Sequence, residues 1–368
     1  MTPNVNPDRI QPLAELVNAT AGEDFSVWSA RPGTRVRDAA AFAEMKAHIA
    51  NRYAGVEAAH SFVDSNGQVF DCIPIEQQPA MRGSQSPAIA NAPDAPPVAE
   101  ASHPRQEALQ VEPQLGQGKQ DVYGNTMACP PGTIPIRRVT LEELTKFETV
   151  QHFHQKSPIG KGRHPRLSEP EAASDVHKYA HAYQTVDNLG GHNFLNIWAP
   201  TIGANQVFSV SQHWYSGGSG SALQTAEVGW QVYPGKYNST NPVLFVYWTA
   251  DDYNTTGCYN LDCTAFVQVN SSWALGGALT TVSITGGSQA ELEVAYYYYQ
   301  GNWWLYLGGM GSAQAVGYYP ASLYRGGQLA KNAADIDFNE HRVHRHPPAP
   351  KWGGRLPAAR AATRPGSP

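Results

Sequence analysis

The sequence has few charged residues and no long apolar run. Asp, Glu, Lys and Arg make up 15% of its 368 residues, against roughly 25% in a typical soluble domain. No stretch approaches the ~20 apolar residues that a membrane-spanning helix needs, and the first 30 residues contain no apolar signal-peptide core. A net charge of −5 gives no electrostatic reason to expect nucleic-acid binding. We therefore expect partners that are neither membranes nor nucleic acids.

Cysteine is also scarce, with two widely separated pairs. The interval between Cys258 and Cys263 is too short for a zinc knuckle, so a local disulfide is the better interpretation in an oxidising compartment. The division of the chain into regions favours a second disulfide between Cys72 and Cys129. The closely spaced histidines lack the adjacent glutamate of a zinc-protease helix, and we expect no metal or other cofactor.

Composition divides the N-terminal half of the chain into unlike regions. Residues 1–60 form an extension with a weak helical pattern at residues 37–53, and a short strand is expected near residue 70. Residues 83–127 are rich in Pro, Ala, Ser and Gln but poor in large apolar side chains, which predicts a disordered insert. Residues 146–175 are polar and basic, which predicts an exposed, cleavable linker.

The C-terminal half is typical of an antiparallel β-sandwich. Between residues 176 and 340, short alternating stretches rich in Trp and Tyr are separated by turns that contain Gly and Asn. Residues 341–368 contain six Lys or Arg residues, no acidic residue and no regular period, so we expect a disordered tail. The predicted fold class is an all-β sandwich preceded by a small α+β region and flexible linkers.

One predicted strand carries a carboxyl group on its polar face. Side chains alternate across a strand, so Glu227 and Gln231 share one face and the intervening apolar residues share the other. The apolar face predicts a core contact, through Ala226, Val228, Trp230 and Val232. The polar face suits a substrate groove. The competing interpretation is an exposed glutamate on a solvent-facing strand.

Several motifs follow one another along the chain. Upstream are Asp71-Cys-Ile-Pro-Ile-Glu-Gln-Gln-Pro-Ala and Cys129-Pro-Pro-Gly-Thr-Ile-Pro-Ile-Arg-Arg. Downstream are Glu227-Val-Gly-Trp-Gln-Val-Tyr-Pro, Tyr247-Trp-Thr-Ala-Asp-Asp-Tyr, Thr256-Gly-Cys-Tyr-Asn-Leu-Asp-Cys, Gly301-Asn-Trp-Trp-Leu and Val316-Gly-Tyr-Tyr-Pro-Ala-Ser-Leu-Tyr. Taken in order, the downstream motifs resemble the neprosin family of glutamic peptidases, and the upstream motifs are similar to the activation peptide of that family.

The resemblance implies a zymogen. An activation peptide at residues 61–145 would cover the sandwich peptidase as an intramolecular inhibitor and would be released by cleavage in the linker. The implied activity is endopeptidase cleavage after proline, favoured at acid pH and carried out by two glutamates without a cofactor. The implied substrate is a proline-containing peptide or protein, and the implied location is secreted or extracytoplasmic.

The resemblance also assigns catalytic residues. Glu227 matches the first catalytic glutamate of the family, in its Glu-X-Gly-Trp-Gln motif. The second glutamate belongs to a Trp-Gly-Gly-Glu motif, for which Glu340 is the nearest candidate in this chain. The Gly-rich continuation of the family is replaced by the basic tail. We interpret this as a reading-frame shift or truncation near Asn339, and it predicts a poorly active or inactive chain.

Other residues and functions remain open at this level. Gln231 is a candidate for binding the substrate at its carbonyl oxygen, with a solvent-facing strand residue as the alternative. Glu293 is a rival second carboxylate, with an exposed polar residue near a strand start as the alternative. The aromatic run at residues 296–299 would also suit a carbohydrate-binding sandwich. A glycoside hydrolase with two carboxylates and a catalytically inactive relative are further alternatives.

Overall fold

A computed structural model describes residues 10–82, 88–94, 108–156, 176–309 and 312–344. The helices among these residues are α1 (Leu13–Ala21), α2 (Phe25–Ser29), α3 (Ala39–Tyr53), α4 (Leu141–Leu144), α5 (Val150–His154) and α6 (Pro234–Tyr237). The strands are β1 (His60–Val63), β2 (Val69–Pro74), β3 (Leu109–Gln110), β4 (Thr133–Arg137), β5 (Val176–Asn188), β6 (Gly190–Asn196), β7 (Gln206–Gly217), β8 (Gln224–Val232), β9 (Val243–Thr249), β10 (Cys258–Tyr259), β11 (Val267–Gln268), β12 (Ala290–Tyr299), β13 (Asn302–Gly308), β14 (Gln314–Pro320) and β15 (Ala333–His344).

Residues 10–156, here called the N-terminal region, are small and α+β as predicted. The carboxylate of Asp38 accepts a hydrogen bond from the Ala41 backbone N–H at 2.8 Å and so caps α3. The buried face of α3 includes Phe42, Met45 and Ile49, whose spacing matches the helical period. Strands β1, β2 and β4 form an antiparallel sheet next to this helix.

The C-terminal half forms a sandwich of two six-stranded sheets. The first sheet has the order β10-β9-β8-β7-β15-β5. In the second sheet β11, β14, β13 and β12 follow one another, and β12 also pairs with β3 and β6. The apolar residues of β8 pack in one core with the second sheet, as the alternation predicted; this core includes Val228, Trp230, Val294, Tyr296 and Trp303. The face of the first sheet that is turned away from the second sheet is called the outer face below.

The predicted disordered insert is partly wrong. Residues 108–127 are ordered, because β3 adds a parallel strand to β12 and two apolar side chains follow it into the core. Val111 is buried in the main core, and Leu115 is buried beside the sheet of the N-terminal region. The average composition of this segment is polar, so it gave no sign of these two buried side chains. Residues 83–87 and 95–107 of the predicted insert lie outside the described residues.

Two predicted boundaries also differ from the structure. The start of the predicted exposed linker contains helix α5, and both Phe153 and Lys156 are buried. Strand β15 continues to His344, paired with β7 on one side and β5 on the other, so regular structure extends past residue 341. Residues 157–175 and the rest of the basic tail lie outside the described residues.

A glycine in β8 is required by close packing, which gives a test of the fold. A Cβ atom at Gly229 would lie 2.1 Å from the Ser211 carbonyl oxygen and 2.7 Å from the Gln212 Cα. We expect Gly229→Ala to lower the free energy of unfolding by about 1–3 kcal/mol through overpacking. The control is Gly116→Ala, since a Cβ at Gly116 meets no atom within 4 Å. Denaturant unfolding of both variants measures the difference, and equal midpoints would contradict the packing argument.

Candidate active site

Glu227 lies at the centre of a row of side chains on the outer face of the first sheet. The backbone register pairs it with Tyr247 of β9 and with Trp214 of β7. Residues that pair directly across strands project to the same face, so the carboxyl group is flanked by two aromatic side chains. Glu227 is 0% exposed. The interpretation as an exposed strand glutamate is therefore wrong.

The carboxyl group of Glu227 is surrounded by donors. Its Oε1 accepts hydrogen bonds from the Thr225 hydroxyl and the Tyr253 phenol, each at 2.7 Å. Burial raises the pKa of Tyr253 well above its usual range, and the nearby Glu227 charge adds to this, so the phenol keeps its proton. The other oxygen, Oε2, contacts the ammonium of Lys156. A buried carboxylate is tolerated when such partners replace water.

Lys156 reaches the site from the end of the N-terminal region. Its ammonium also donates to Gln212 Oε1 at 2.8 Å and lies 4.5 Å from the centre of the Trp214 ring. Its backbone oxygen accepts a hydrogen bond from the Tyr259 hydroxyl at 3.2 Å. Burial lowers the pKa of Lys156, while attraction to Glu227 opposes this change. The lysine thus fills the space in front of Glu227 and neutralises it.

A second ion cluster attaches the N-terminal region to the sandwich. Asp262 lies 3.2 Å from the Lys236 ammonium within the sandwich, 3.9 Å from Arg137 and 4.0 Å from Arg52, both of the N-terminal region. Burial acts to raise the pKa of Asp262, but attraction to these cations outweighs it and lowers the pKa to about 2. The Cys258–Cys263 disulfide closes the loop that carries this aspartate.

Two histidines lie beside this cluster, and within the described residues neither makes an ion pair with it. His48 of α3 and His154 of α5 approach edge to face, with ring centroids 5.3 Å apart. Within the described residues, the buried Nε2 atom of each ring has no hydrogen-bond partner. Burial lowers the pKa of His48 to about 4 and that of His154 to about 3. Lys236 and Arg52 add to both decreases, whereas Asp262 opposes them.

The structure separates two sequence candidates from Glu227. Gln231 is buried on the same face, but it is four residues away along β8 and donates from Nε2 to the Tyr237 hydroxyl at 3.1 Å. Glu293 lies on the second sheet, where its carboxylate is bonded to His192 at 2.8 Å. It is 1% exposed, so the alternative of an exposed polar residue is wrong, and it belongs to the sheet opposite that of Glu227.

Strand β15 carries the candidate second carboxylates. The register pairs Glu340 with Ser211 and, through it, with Trp230. It also pairs Asp337 with Trp214 and, through it, with Glu227. Asp337 is 1% exposed. Asp337 is therefore aligned with Glu227 across the sheet, two strands away. Glu340 is aligned with Trp230 instead.

Sequence reasoning missed Lys156, Gln212, Tyr253 and Asp337. Gln212 and Trp214 alternate along β7 as Glu227 and Gly229 do along β8, but the register that aligns the two strands is not readable from either one. Asp337 lies in the alternating stretch just before Glu340, where attention to the family motif favoured the glutamate. No local signal marks Lys156, which follows a short helix in a polar stretch.

Two family comparisons cover most of the chain. Residues 61–183 match the neprosin activation peptide, and residues 205–351 match the neprosin domain. The chain belongs to the neprosin family.

Two solved structures are distantly similar to this chain. They are a crystal structure of scytalido-glutamic peptidase with a peptide-based transition state analog and another with a transition state analog inhibitor. Each shares 7% sequence identity, with TM-scores of 0.25 and 0.26. The alignments cover 46% of this chain and 66% of each of those chains, slightly under two thirds of their length.

The disulfides and the lengths of the helices relate to the environment in which the protein works. Disulfides join Cys72 to Cys129 and Cys258 to Cys263, the pairing that the sequence favoured, and such bonds fit an extracellular protein. Among the described residues, no helix has the length and apolar character needed to cross a membrane.

The histidine pair predicts that acid loosens the N-terminal region. Because both pKa values are depressed in the folded chain, contact with the sandwich is most stable above pH ~6.5 and weakens as the pH falls toward 4 and 3. We expect His154→Leu to lower the equilibrium constant for release of the N-terminal region about 10-fold near pH 5, because the variant takes up one proton fewer on release. His152→Leu is the control on the same helix, since His152 is partly exposed beside Glu148. Release is followed by gel filtration from pH 3 to 7. Identical profiles for the His154 variant and the parent would exclude this role.

Proposed function

We propose that this neprosin-family chain is the zymogen of an acid-active glutamic endopeptidase that cleaves peptide bonds after proline. The observation that carries the proposal is the contact between Lys156 and Glu227. A lysine that belongs to the matched activation peptide lies directly on the carboxyl group that the family resemblance marks as catalytic. The activation peptide thereby acts as an intramolecular inhibitor, because no substrate carbonyl can reach Glu227 while the lysine is there.

The chemistry requires two carboxyl groups in different protonation states. An ionised carboxylate takes a proton from water, and the water oxygen forms a bond to the scissile carbonyl carbon. A protonated carboxyl group stabilises the carbonyl oxygen and later supplies the proton for the leaving nitrogen, whose bond to carbon breaks. A pair that shares one proton in this way is favoured by mildly acid conditions, which supports acid activity.

We assign Glu227 as one of these groups and strand β15 as the source of the other. The family resemblance selects Glu340, whereas the register favours Asp337 because it lies in the row of Glu227. Both positions belong to a strand that is paired on both sides. The expectation of a poorly active chain came from the basic tail that replaces the Gly-rich continuation, whereas the pairing of β15 as far as His344 puts both positions within regular structure.

The aromatic side chains beside Glu227 support a preference for proline. Trp214 and Tyr247 flank the carboxyl group in the same row, and both belong to strands of the first sheet. The methylene stem of Lys156 ends between them, with the ammonium 4.5 Å and 5.7 Å from the two ring centres. A pyrrolidine ring is a compact apolar group that packs well against such faces.

Secretion is part of the proposal and is supported by the family and the disulfides.

The structure favours a peptidase over a carbohydrate-binding module. Sugar binding requires aromatic side chains on an accessible surface. In the aromatic run that suggested it, Tyr296 is buried between the sheets and the tyrosines at 297–299 are half-buried, and Trp303 and Trp304 on the neighbouring strand are fully buried. These residues contribute to the packing of the sandwich.

Replacement of each carboxyl group by an amide tests the assignment. Glu227→Gln keeps the shape but cannot transfer a proton, so we expect loss of cleavage by at least 10³-fold, with unchanged unfolding behaviour once the segment that carries Lys156 has been removed. Asp337→Asn and Glu340→Gln then identify the second group, which should cause a comparable loss. Glu293→Gln is the control. Acid-activated protein is assayed on a proline-containing peptide and on an oligosaccharide. Equal peptide cleavage by the Glu227 variant and the parent would refute its catalytic role.

Removal of the Lys156 charge should weaken latency. Breaking a buried ion pair by neutralising one partner typically costs about 3–5 kcal/mol, so Lys156→Met is expected to shift the release equilibrium of the activation peptide by more than 100-fold. The variant should therefore lose its activation peptide at higher pH. Lys331→Met, at an exposed position, is the control. If both variants retain the activation peptide over the same pH range as the parent, Lys156 is not the inhibitory contact.

A further inference from the structure

A buried glutamine lies in the site opposite the catalytic carboxylate. Gln212 of β7 is 0% exposed and pairs with Gly229, which is two residues beyond Glu227 on the same face of β8. Its Oε1 and the Oε2 of Glu227 contact the same nitrogen atom, the ammonium of Lys156. An amide and a carboxylate that bind one atom are close enough to act on one reacting group.

The donor end of this amide is available. Within the described residues, the Gln212 Nε2 atom is buried and has no hydrogen-bond partner. An unpaired buried donor costs about 1–3 kcal/mol, so such groups are uncommon outside functional sites. The absence of a side chain at Gly229 leaves the space that Gln212 occupies, because a Cβ there would lie 2.8 Å from the Gln212 Cβ. The local packing thus holds the amide in place beside the site.

We propose that Gln212 is a further catalytic residue, which donates a hydrogen bond from Nε2 to the substrate carbonyl oxygen as negative charge develops there. This inference rests on the proposed peptidase function. After Lys156 leaves, a half-turn of the Gln212 amide brings Nε2 to the position from which Oε1 now contacts the ammonium. The substrate carbonyl then takes the place of the ammonium between Gln212 and Glu227. Water adds to the carbonyl carbon, its proton passes to a carboxylate, and the carbonyl π electrons move to the oxygen. When the tetrahedral intermediate collapses, the C–N bond breaks and the nitrogen takes a proton from a carboxyl group.

Gln212 fits this role better than Gln231, the glutamine that the sequence suggested. The Nε2 of Gln231 already donates to the Tyr237 hydroxyl at 3.1 Å. Gln231 is also four residues from Glu227, roughly 13 Å along an extended strand. Gln212 pairs with Gly229, two residues from Glu227 on the same face, and contacts the same Lys156 nitrogen atom as Glu227 does. The pair of glutamines therefore offers a matched comparison on one sheet face.

The test measures kcat and KM separately on acid-activated protein from which the activation peptide has been released. We expect Gln212→Leu, which removes the donor at similar volume, to lower kcat by about 10²–10³-fold with KM changed less than about 3-fold. Gln231→Leu should keep kcat within about 5-fold of the parent. Thermal unfolding of both variants checks that neither effect comes from a loss of folded protein.

The outcomes separate this proposal from the function on which it rests. A parent that cleaves the proline-containing peptide, together with a Gln212→Leu variant of equal kcat, would overturn the role of Gln212 alone. A Gln212→Leu variant in which only KM changes would also overturn it, because an oxyanion donor acts mainly in the transition state. A fully processed parent that cleaves no peptide between pH 3 and 7 would overturn the proposed function, and the role of Gln212 with it.

Discussion

The ion pair between Lys156 and Glu227 is the contact on which the rest of the site depends. A carboxylate without solvent exposure on the middle strands of a sheet is costly unless a cation and hydrogen-bond donors replace water. Here the cation comes from the N-terminal region, and the Thr225 and Tyr253 hydroxyls supply the remaining contacts. The stability of the latent chain and the availability of Glu227 are therefore opposed. What stabilises this arrangement also blocks the chemistry that we propose for Glu227.

The ion cluster around Asp262 and the neighbouring histidine pair respond differently to acid. Asp262 stays ionised well below neutral pH, because its pKa is about 2, so its contacts with Arg52 and Arg137 persist in mild acid. His48 and His154 gain protons on release, which makes release progressively more favourable below pH ~6.5. Of these three groups, we therefore expect the histidines rather than the aspartate to respond to mild acid. Acid weakens attachment by adding positive charges beside Lys236 and Arg52, without first neutralising the anion.

The sequence predicts features that depend on local pattern and misses those that depend on register. Alternation along β8 is sufficient to place Val228 and Trp230 in the core and Glu227 on the other face. Gln212 and Asp337 belong to strands that are distant in sequence, and only the hydrogen-bonded register of the sheet aligns them with Glu227. Composition failed for residues 108–127 because two buried side chains are enough to anchor a segment whose average is polar. The family resemblance was necessary to single out Glu227 among the acidic residues.

Strand β8, in the middle of the first sheet, is covered on both faces and has no exposed residue. The second sheet covers one face, and the N-terminal region contacts the other through Lys156 and through Phe153, whose backbone oxygen accepts a hydrogen bond from Lys236 at 3.1 Å. Release of this region must expose aromatic side chains of the outer face, such as Tyr247 and Tyr259. Bare aromatic surface in water is unfavourable, so a bound peptide regains part of the apolar contact that release removes. In the proposed function the same face thus serves inhibitor and substrate in turn, because both must meet the shape and charge around Glu227.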